Sequence, residues 1–250
     1  MDRFSGKVAL VTGASSGLGA AVATRLAAEG AQVFGIARNR DALVAIQQQV
    51  RSDGGDMAIA VTDVGAYEQC IAAVAKCVEQ YGQLDCLVNV AGSHRFHHTP
   101  EITPQEWRQE LDINLNGPFF LCQAALPHLL ASKGNIVNVA SIAGLEGQPY
   151  SASYCAAKHG LIGFSKSLAL EYTKHDLRVN VVCPGGMATP QIDNIQIPED
   201  ADFDLLMRSA ALRGMMDAKE VASVIAFLAS ADASAVHGAV YTVDRGKTCG

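Results

Sequence analysis

The sequence predicts an α/β fold: a doubly wound, mostly parallel sheet of about seven strands with helices on both faces. Three observations predict it. Strands alternate with helices along the whole chain, the strands are apolar on both faces, and the chemically marked residues cluster where strands end. Val8-Ala9-Leu10-Val11 and Ile136-Val137-Asn138-Val139 are apolar at almost every position. A strand with one wet face would alternate with a period of two, so these read as covered on both sides. Parallel neighbours need crossover connections, and right-handed crossovers wind the sheet in two directions from its middle.

The elements follow in order as short β-branched runs separated by longer helical patterns. Lys7–Val11 reads as a strand that ends in a glycine-rich turn, and Gly17–Gly30 as the helix it feeds. Gln32–Ala37 is the next strand, followed by a helix over Asp41–Ser52. Met57–Thr62, a helix over Ala66–Tyr81 and the strand Cys86–Val90 continue the alternation. Helices over Thr103–Leu115 and Pro118–Ser132 precede the strand Asn135–Ala140. A long helix runs from Ala152 to Lys174, then the strand Arg178–Val182, a helix over Asp217–Ser230 and the strand Val240–Val243.

With 250 residues, 49% of them hydrophobic, there is ample material for one large core. No linker, repeat or low-complexity tract divides the chain, so residues 1–250 are expected to form one domain. A net charge of -6 argues against a nucleic-acid partner, which calls for clustered Lys and Arg. The polar start, Met1 to Lys7, does not read as a signal peptide. The most apolar run, Phe119 to Ala131, is too short for a membrane and contains Pro127. Seven cysteines without CxxC spacing read as reduced thiols in a cytoplasmic protein. The low charged fraction of 18% points to surface buried between subunits, in a homotetramer or homodimer.

The first strand runs into Thr12-Gly13-Ala14-Ser15-Ser16-Gly17-Leu18-Gly19. Glycines let the backbone turn sharply and approach a pyrophosphate, whose charge is met by N–H groups at the helix start. At the end of the second strand, where NAD-binding proteins carry an acid for the ribose 2′-hydroxyl, this chain has Ala37 followed by Arg38. A guanidinium grips a 2′-phosphate that a carboxylate would repel, so NADP(H) is favoured, with NAD(H) the alternative. Asp63-Val64 ends the third strand, and Asn89-Val90-Ala91-Gly92 the fourth.

The long helix carries Tyr154-Cys155-Ala156-Ala157-Lys158, which sets a phenol and an ammonium on one face. Ser141 closes the fifth strand at the same sheet edge, Asn114 lies in a preceding helix, and Pro184-Gly185-Gly186-Met187-Ala188-Thr189 follows the sixth strand. A free tyrosine, with a pKa of about 10, is a poor base at neutral pH. A lysine charge and an oxidised nicotinamide nearby are expected to lower it.

In order and spacing these motifs resemble the short-chain dehydrogenase/reductase family along essentially the whole chain. They are similar in particular to its 3-oxoacyl-carrier-protein reductases, which Gly160-Leu161-Ile162-Gly163-Phe164-Ser165-Lys166 also resembles. The resemblance implies a Rossmann-type fold and an enzyme that moves hydride between a nicotinamide and a carbonyl or secondary alcohol. It implies Tyr154 as acid/base, Ser141 polarising the substrate oxygen, Lys158 holding the ribose, and Asn114 positioning a water in a proton relay. Asp63 and Val64 would contact adenine, Asn89, Ala91 and Gly92 would line the cofactor, and Met187 and Thr189 would meet its carboxamide and pyrophosphate. Family members usually assemble as tetramers. Val90 and the ending Asp244-Arg245-Gly246 depart from the common pattern.

No metal is expected. His94, His97 and His98 read as a polar loop near the substrate mouth, since no Cys or carboxylate pattern accompanies them. The stretch of about residues 190–214 is expected to cover the substrate, with Leu205, Leu206, Met207 and Met215 forming an apolar ceiling or packing into the core. Docking an acidic carrier protein calls for basic residues at the mouth. Ser132-Lys133-Gly134-Asn135 and Ser167-Leu168-Ala169-Leu170 offer one lysine and no arginine. The substrate is therefore a 3-oxoacyl thioester or, comparably, a soluble ketone, sugar or steroid-like alcohol. A cofactor-binding regulator without catalysis is the reading from another class, and the complete set Asn114, Ser141, Tyr154 and Lys158 argues against it.

Overall fold

The computed structural model describes residues 2–190, 196–210 and 213–249. Seven strands, β1 (Val8–Thr12), β2 (Gln32–Ala37), β3 (Asp56–Val61), β4 (Cys86–Asn89), β5 (Asn135–Val139), β6 (Arg178–Pro184) and β9 (Val240–Val243), form one sheet. All pairings in it are parallel, in the order β3-β2-β1-β4-β5-β6-β9. The order reverses between β1 and β4. A crevice opens there, outside the carboxyl ends of the strands, where ligands bind in open α/β sheets.

Alternate residues of each strand face opposite layers. In β1, Ala9 and Val11 pack with α1 (Gly17–Ala28), α2 (Arg40–Ser52) and α8 (Ala218–Ala229). Val8 and Leu10 pack instead with α3 (Tyr67–Tyr81), α5 (Gly117–Ser132) and α6 (Ala152–Glu171). Both faces of the sheet are thus dry, which is why its strands show no polar alternation.

Three local features depart from the expected elements. The helix expected to Leu115 ends as α4 (Pro104–Leu111), and a π-helical turn over Asp112–Asn116 leads into α5. There the Gly117 N–H reaches back to Asp112 O, while the Asn114 side chain donates to Glu110 O at 3.0 Å. Such turns insert one extra residue and concentrate at functional sites. A two-residue parallel pair, β7 (Met187–Ala188) with β8 (Met216–Asp217), was not legible because so short a run has no periodicity.

The third feature is the covering segment, of which residues 191–195 and 211–212 lie outside the described residues. Its short helix α7 (Phe203–Met207) is exposed rather than packed into the core, with Phe203 67% and Met207 51% accessible. Among the described residues no helix is long and apolar enough to cross a membrane.

Candidate active site

The β1–α1 loop is shaped by its glycines. Gly13 and Gly17 hold left-handed φ angles of 67° and 52°. A Cβ on Gly19 would lie 2.1 Å from Gly13 O, so any side chain there would push the helix off its loop. Thr12 ties this loop to the exit of β4, since its Oγ1 accepts from the N–H of Val90 at 2.9 Å and of Ala91 at 2.8 Å. Ser16 precedes α1 without making a side-chain capping bond. The result is a glycine-floored cleft of about 350 Å³ at the start of a helix, a cradle suited to a pyrophosphate.

Gly13, Ser15, Ser16, Gly17, Leu18 and Gly19 line the cleft on one side. Arg38, Asp63, Val64, Ala91 and Gly92 continue it, and Ser141, Tyr154, Lys158, Pro184, Gly185, Met187 and Thr189 close it. Two expected residues stand behind it instead. Asn89 is 2% exposed and turns its amide under the sheet, Nδ2 donating to Asn138 Oδ1 at 2.8 Å. Asn89 is therefore not among the residues that line the cleft. Asn114 is fully buried behind Gly92. Thr62 and Asn39 line the cleft unanticipated; their only sequence signal was a place next to Asp63 and Arg38. Arg38 is exposed at the rim and makes no hydrogen bond or ion pair with the described residues.

At the far end, Ser141 begins a 3₁₀ turn, and its Oγ accepts from the Ala143 N–H at 3.1 Å. Its hydroxyl proton remains to bond the Tyr154 phenol, a contact that favours the phenolate. Burial outweighs that bond and pushes the phenol up to about 12, and the Glu110 carboxylate adds to the rise. With the protein groups alone, the shift therefore runs opposite to the expected lowering. Lys158 does not reverse it, because its ammonium sits over the Tyr154 ring, 5.6 Å from the centroid, and donates to Val139 O at 3.0 Å. Burial lowers Lys158 itself to about 8.

Asn114 is held on all sides. Its Nδ2 donates to Ser93 O at 2.9 Å, to Glu110 O at 3.0 Å and to Glu110 Oε1 at 2.9 Å, while Oδ1 accepts from the Ser93 N–H at 3.2 Å. A Cβ on Gly92 would meet both Asn114 Oδ1, at 2.9 Å, and Lys158 Nζ, at 3.5 Å. Glycine at that position lets the loop pass between them.

The three loop histidines go separate ways. His94 stacks on Tyr154 with ring centroids 4.1 Å apart and bonds Ser151 Oγ at 2.8 Å. Burial, then the Lys158 charge, lowers it to about 4, so it is neutral at physiological pH. His97 approaches Glu106 at 4.0 Å, and His98 pairs with Asp200 at 2.8 Å. Among the described residues no group of three or more His, Cys, Asp or Glu is placed to hold a metal ion.

The short chain dehydrogenase family model matches residues 7–200. The 3-oxoacyl-acyl-carrier-protein reductase FabG of Escherichia coli (strain K12) is 36% identical, covering 97% of this chain and 98% of its own. Trans-4-hydroxycyclohexanecarboxylate dehydrogenase of Sinomonas cyclohexanicum is also 36% identical, covering 100% of this chain and 95% of its own. A short chain dehydrogenase from Mycobacterium paratuberculosis, solved bound to NAD, superposes with a TM-score of 0.91 at 28% identity, covering 99% of this chain and 100% of that one. The parallel seven-stranded sheet, its glycine-floored crevice and these matches agree: the chain belongs to the short chain dehydrogenase family and is an oxidoreductase.

Proposed function

We propose that this chain interconverts a carbonyl and a secondary alcohol, preferring NADP(H) over NAD(H), with Tyr154 as acid/base. One observation carries the reading: Ser141, Tyr154 and Lys158 converge at the end of a glycine-floored cleft, with the Lys158 ammonium against the Tyr154 ring. When bound, the nicotinamide supplies or accepts the hydride. The protein's residues supply the rest. With its phenol at about 12, Tyr154 is protonated at neutral pH and donates to the substrate oxygen as charge develops there. Ser141 donates to that same oxygen and polarises it. Lys158, anchored on Val139 O, holds the ribose, and Asn114 keeps a water path to Lys158 in line. Met187 and Thr189 meet the carboxamide and pyrophosphate at the closing edge. Arg38, exposed at the rim and without a hydrogen bond or ion pair among the described residues, would grip a 2′-phosphate.

The raised phenol gives a direction. Carbonyl reduction runs near neutral pH, whereas alcohol oxidation, which needs the phenolate, rises toward alkaline pH. For the substrate, Lys133, the one lysine before β5, pairs on the surface with Asp176 at 2.9 Å, so its charge is partly offset there. That favours a soluble ketone, sugar or steroid-like alcohol over a 3-oxoacyl thioester. We further read residues 1–250 as one dinucleotide-binding domain acting in the cytoplasm, in line with its free cysteines. It assembles as a homo-oligomer through the exposed faces of α5 and α6, where Phe119 and Leu170 are 41% and 75% accessible.

A spectrophotometric panel of ketones and secondary alcohols, run with NADPH and NADH in parallel, tests this reading. Ketone reduction faster with NADPH is expected. Turnover with NADH alone contradicts the Arg38 assignment, and no turnover with either favours the non-catalytic regulator.

A further inference from the structure

Glu110 is a buried carboxyl that the mechanism above does not use. It lies on the last turn of α4, is 4% exposed, and sits one turn before Asn114. Its Oε1 accepts from Asn114 Nδ2 at 2.9 Å and from Ser93 Oγ at 3.1 Å. An isolated carboxyl rarely occupies such a site without a task, because burial disfavours its charge; here burial raises its pKa while the Ser93 and Asn114 bonds oppose the rise.

An amide side chain has two ends of nearly equal shape, and only its partners decide which end faces where. A carboxylate oxygen only accepts, so Glu110 Oε1 joins the Ser93 and Glu110 carbonyls in drawing Nδ2, while the Ser93 N–H holds Oδ1. The Asn114 carbonyl oxygen must then face Ser93 N–H and the gap at Gly92, where Lys158 Nζ also stands. The acid thereby reinforces the orientation that turns the amide oxygen toward the lysine.

The same carboxyl acts across the helix packing. The charged or titratable groups that bear on it are Arg95 from the β4–α4 loop and Lys158 and Tyr154 from α6. Others nearby are engaged elsewhere: Asp112 with Asn116, Glu106 with Thr103, Cys155 with the Gln148 N–H, and His159 with Cys155 O. His94 is neutral and stacked on the phenol.

We propose that Glu110 is a positioning residue of the reaction, which braces the Asn114 amide and sets a carboxylate charge behind Lys158 and Tyr154. The inference rests on the functional reading above. A negative charge there holds the proton on both Tyr154 and Lys158, so removing it lets both lose their protons at lower pH.

The test compares wild type, Glu110→Gln, Glu110→Ala and Tyr154→Phe by the pH profile of kcat/KM for alcohol oxidation. Glu110→Gln keeps the shape and an acceptor but not the charge. It is expected to bind the dinucleotide within about twofold of wild type, with the acid limb moved to lower pH by about half a unit or more. Glu110→Ala is expected to lose about tenfold in kcat as well, with KM little changed, because the amide loses its side-chain brace and a cavity opens beside it. A Glu110→Gln profile that superimposes on wild type overturns the proposal. A readout independent of turnover is the titration of the Tyr154 ring by ¹³C-tyrosine NMR, assigned with Tyr154→Phe. It should show a lower phenol pKa in Glu110→Gln, and an unchanged one overturns the proposal even for a chain without turnover. An active wild type with Tyr154→Phe equally active would instead sink the functional reading.

Discussion

At the scale of single residues, the site is a set of groups whose ordinary chemistry is moved by burial. Tyr154 is held protonated, Lys158 is brought down to about 8, and His94 is held neutral against the phenol. Arg38 is the exception, exposed at the rim and without a hydrogen bond or ion pair among the described residues. If it grips a 2′-phosphate, Arg38→Ala should raise KM for NADPH by about 10- to 100-fold, the range for losing charged hydrogen bonds, and leave KM for NADH within about twofold. Equal changes for both cofactors would show that Arg38 does not read the phosphate. Ser141, Tyr154 and Lys158 were legible because strand ends and an i, i+4 spacing mark them. His94 and Glu110 were not, since a lone histidine in a loop or a lone acid on a helix has no spacing to recognise. Their roles come from stacking and enclosure that only the fold creates.

At the scale of elements, the strand-to-helix turns carry the function. Strands Gln32–Ala37 and Val240–Val243 have the bounds their apolar runs predicted, because turn-forming residues (Gly30 and Asn39, Gly238 and Asp244) close each run on both sides. The π-helical turn at Asp112–Asn116 was invisible in the sequence, as its cause is the reach of the Asn114 amide back to Glu110 O and the seating of Gly117 on Val64 O. The β1–α1 turn has the least slack. A methyl at Gly19, 2.1 Å from Gly13 O, cannot be absorbed by a flexible side chain because its neighbour is backbone. Gly19→Ala is therefore expected to cost about 1–3 kcal/mol in urea unfolding and to weaken dinucleotide binding measured by fluorescence. Unaltered stability and binding would mean that the loop is not packed as described.

At the scale of the whole molecule, the chain start is tied to distant parts of the fold through Glu29. Its carboxylate bonds Arg3 at 2.6 and 2.9 Å and also Arg25, while Arg3 reaches Asp232 at 3.2 Å. The Arg3 hydrogen bond, opposed by burial, lowers Glu29 below its ordinary 4.5. A folded-state pKa below the unfolded one adds stability above about pH 4.5, and that part is lost as pH falls through the lowered value. Glu29→Gln should thus reduce Tm at pH 7 and shrink the difference between wild type and variant below pH 4. A constant difference across that range would show that the charge contributes nothing.

The central claim is that the Tyr154 phenol exchanges the proton with the substrate oxygen. Tyr154→Phe tests it most directly, because the ring and its stacking on His94 are kept while the hydroxyl is removed. Tyr154→Phe is expected to lower kcat/KM for ketone reduction about 10²- to 10⁴-fold, with dinucleotide binding unchanged. Reduction at the wild-type rate by a correctly folded Tyr154→Phe enzyme would contradict it.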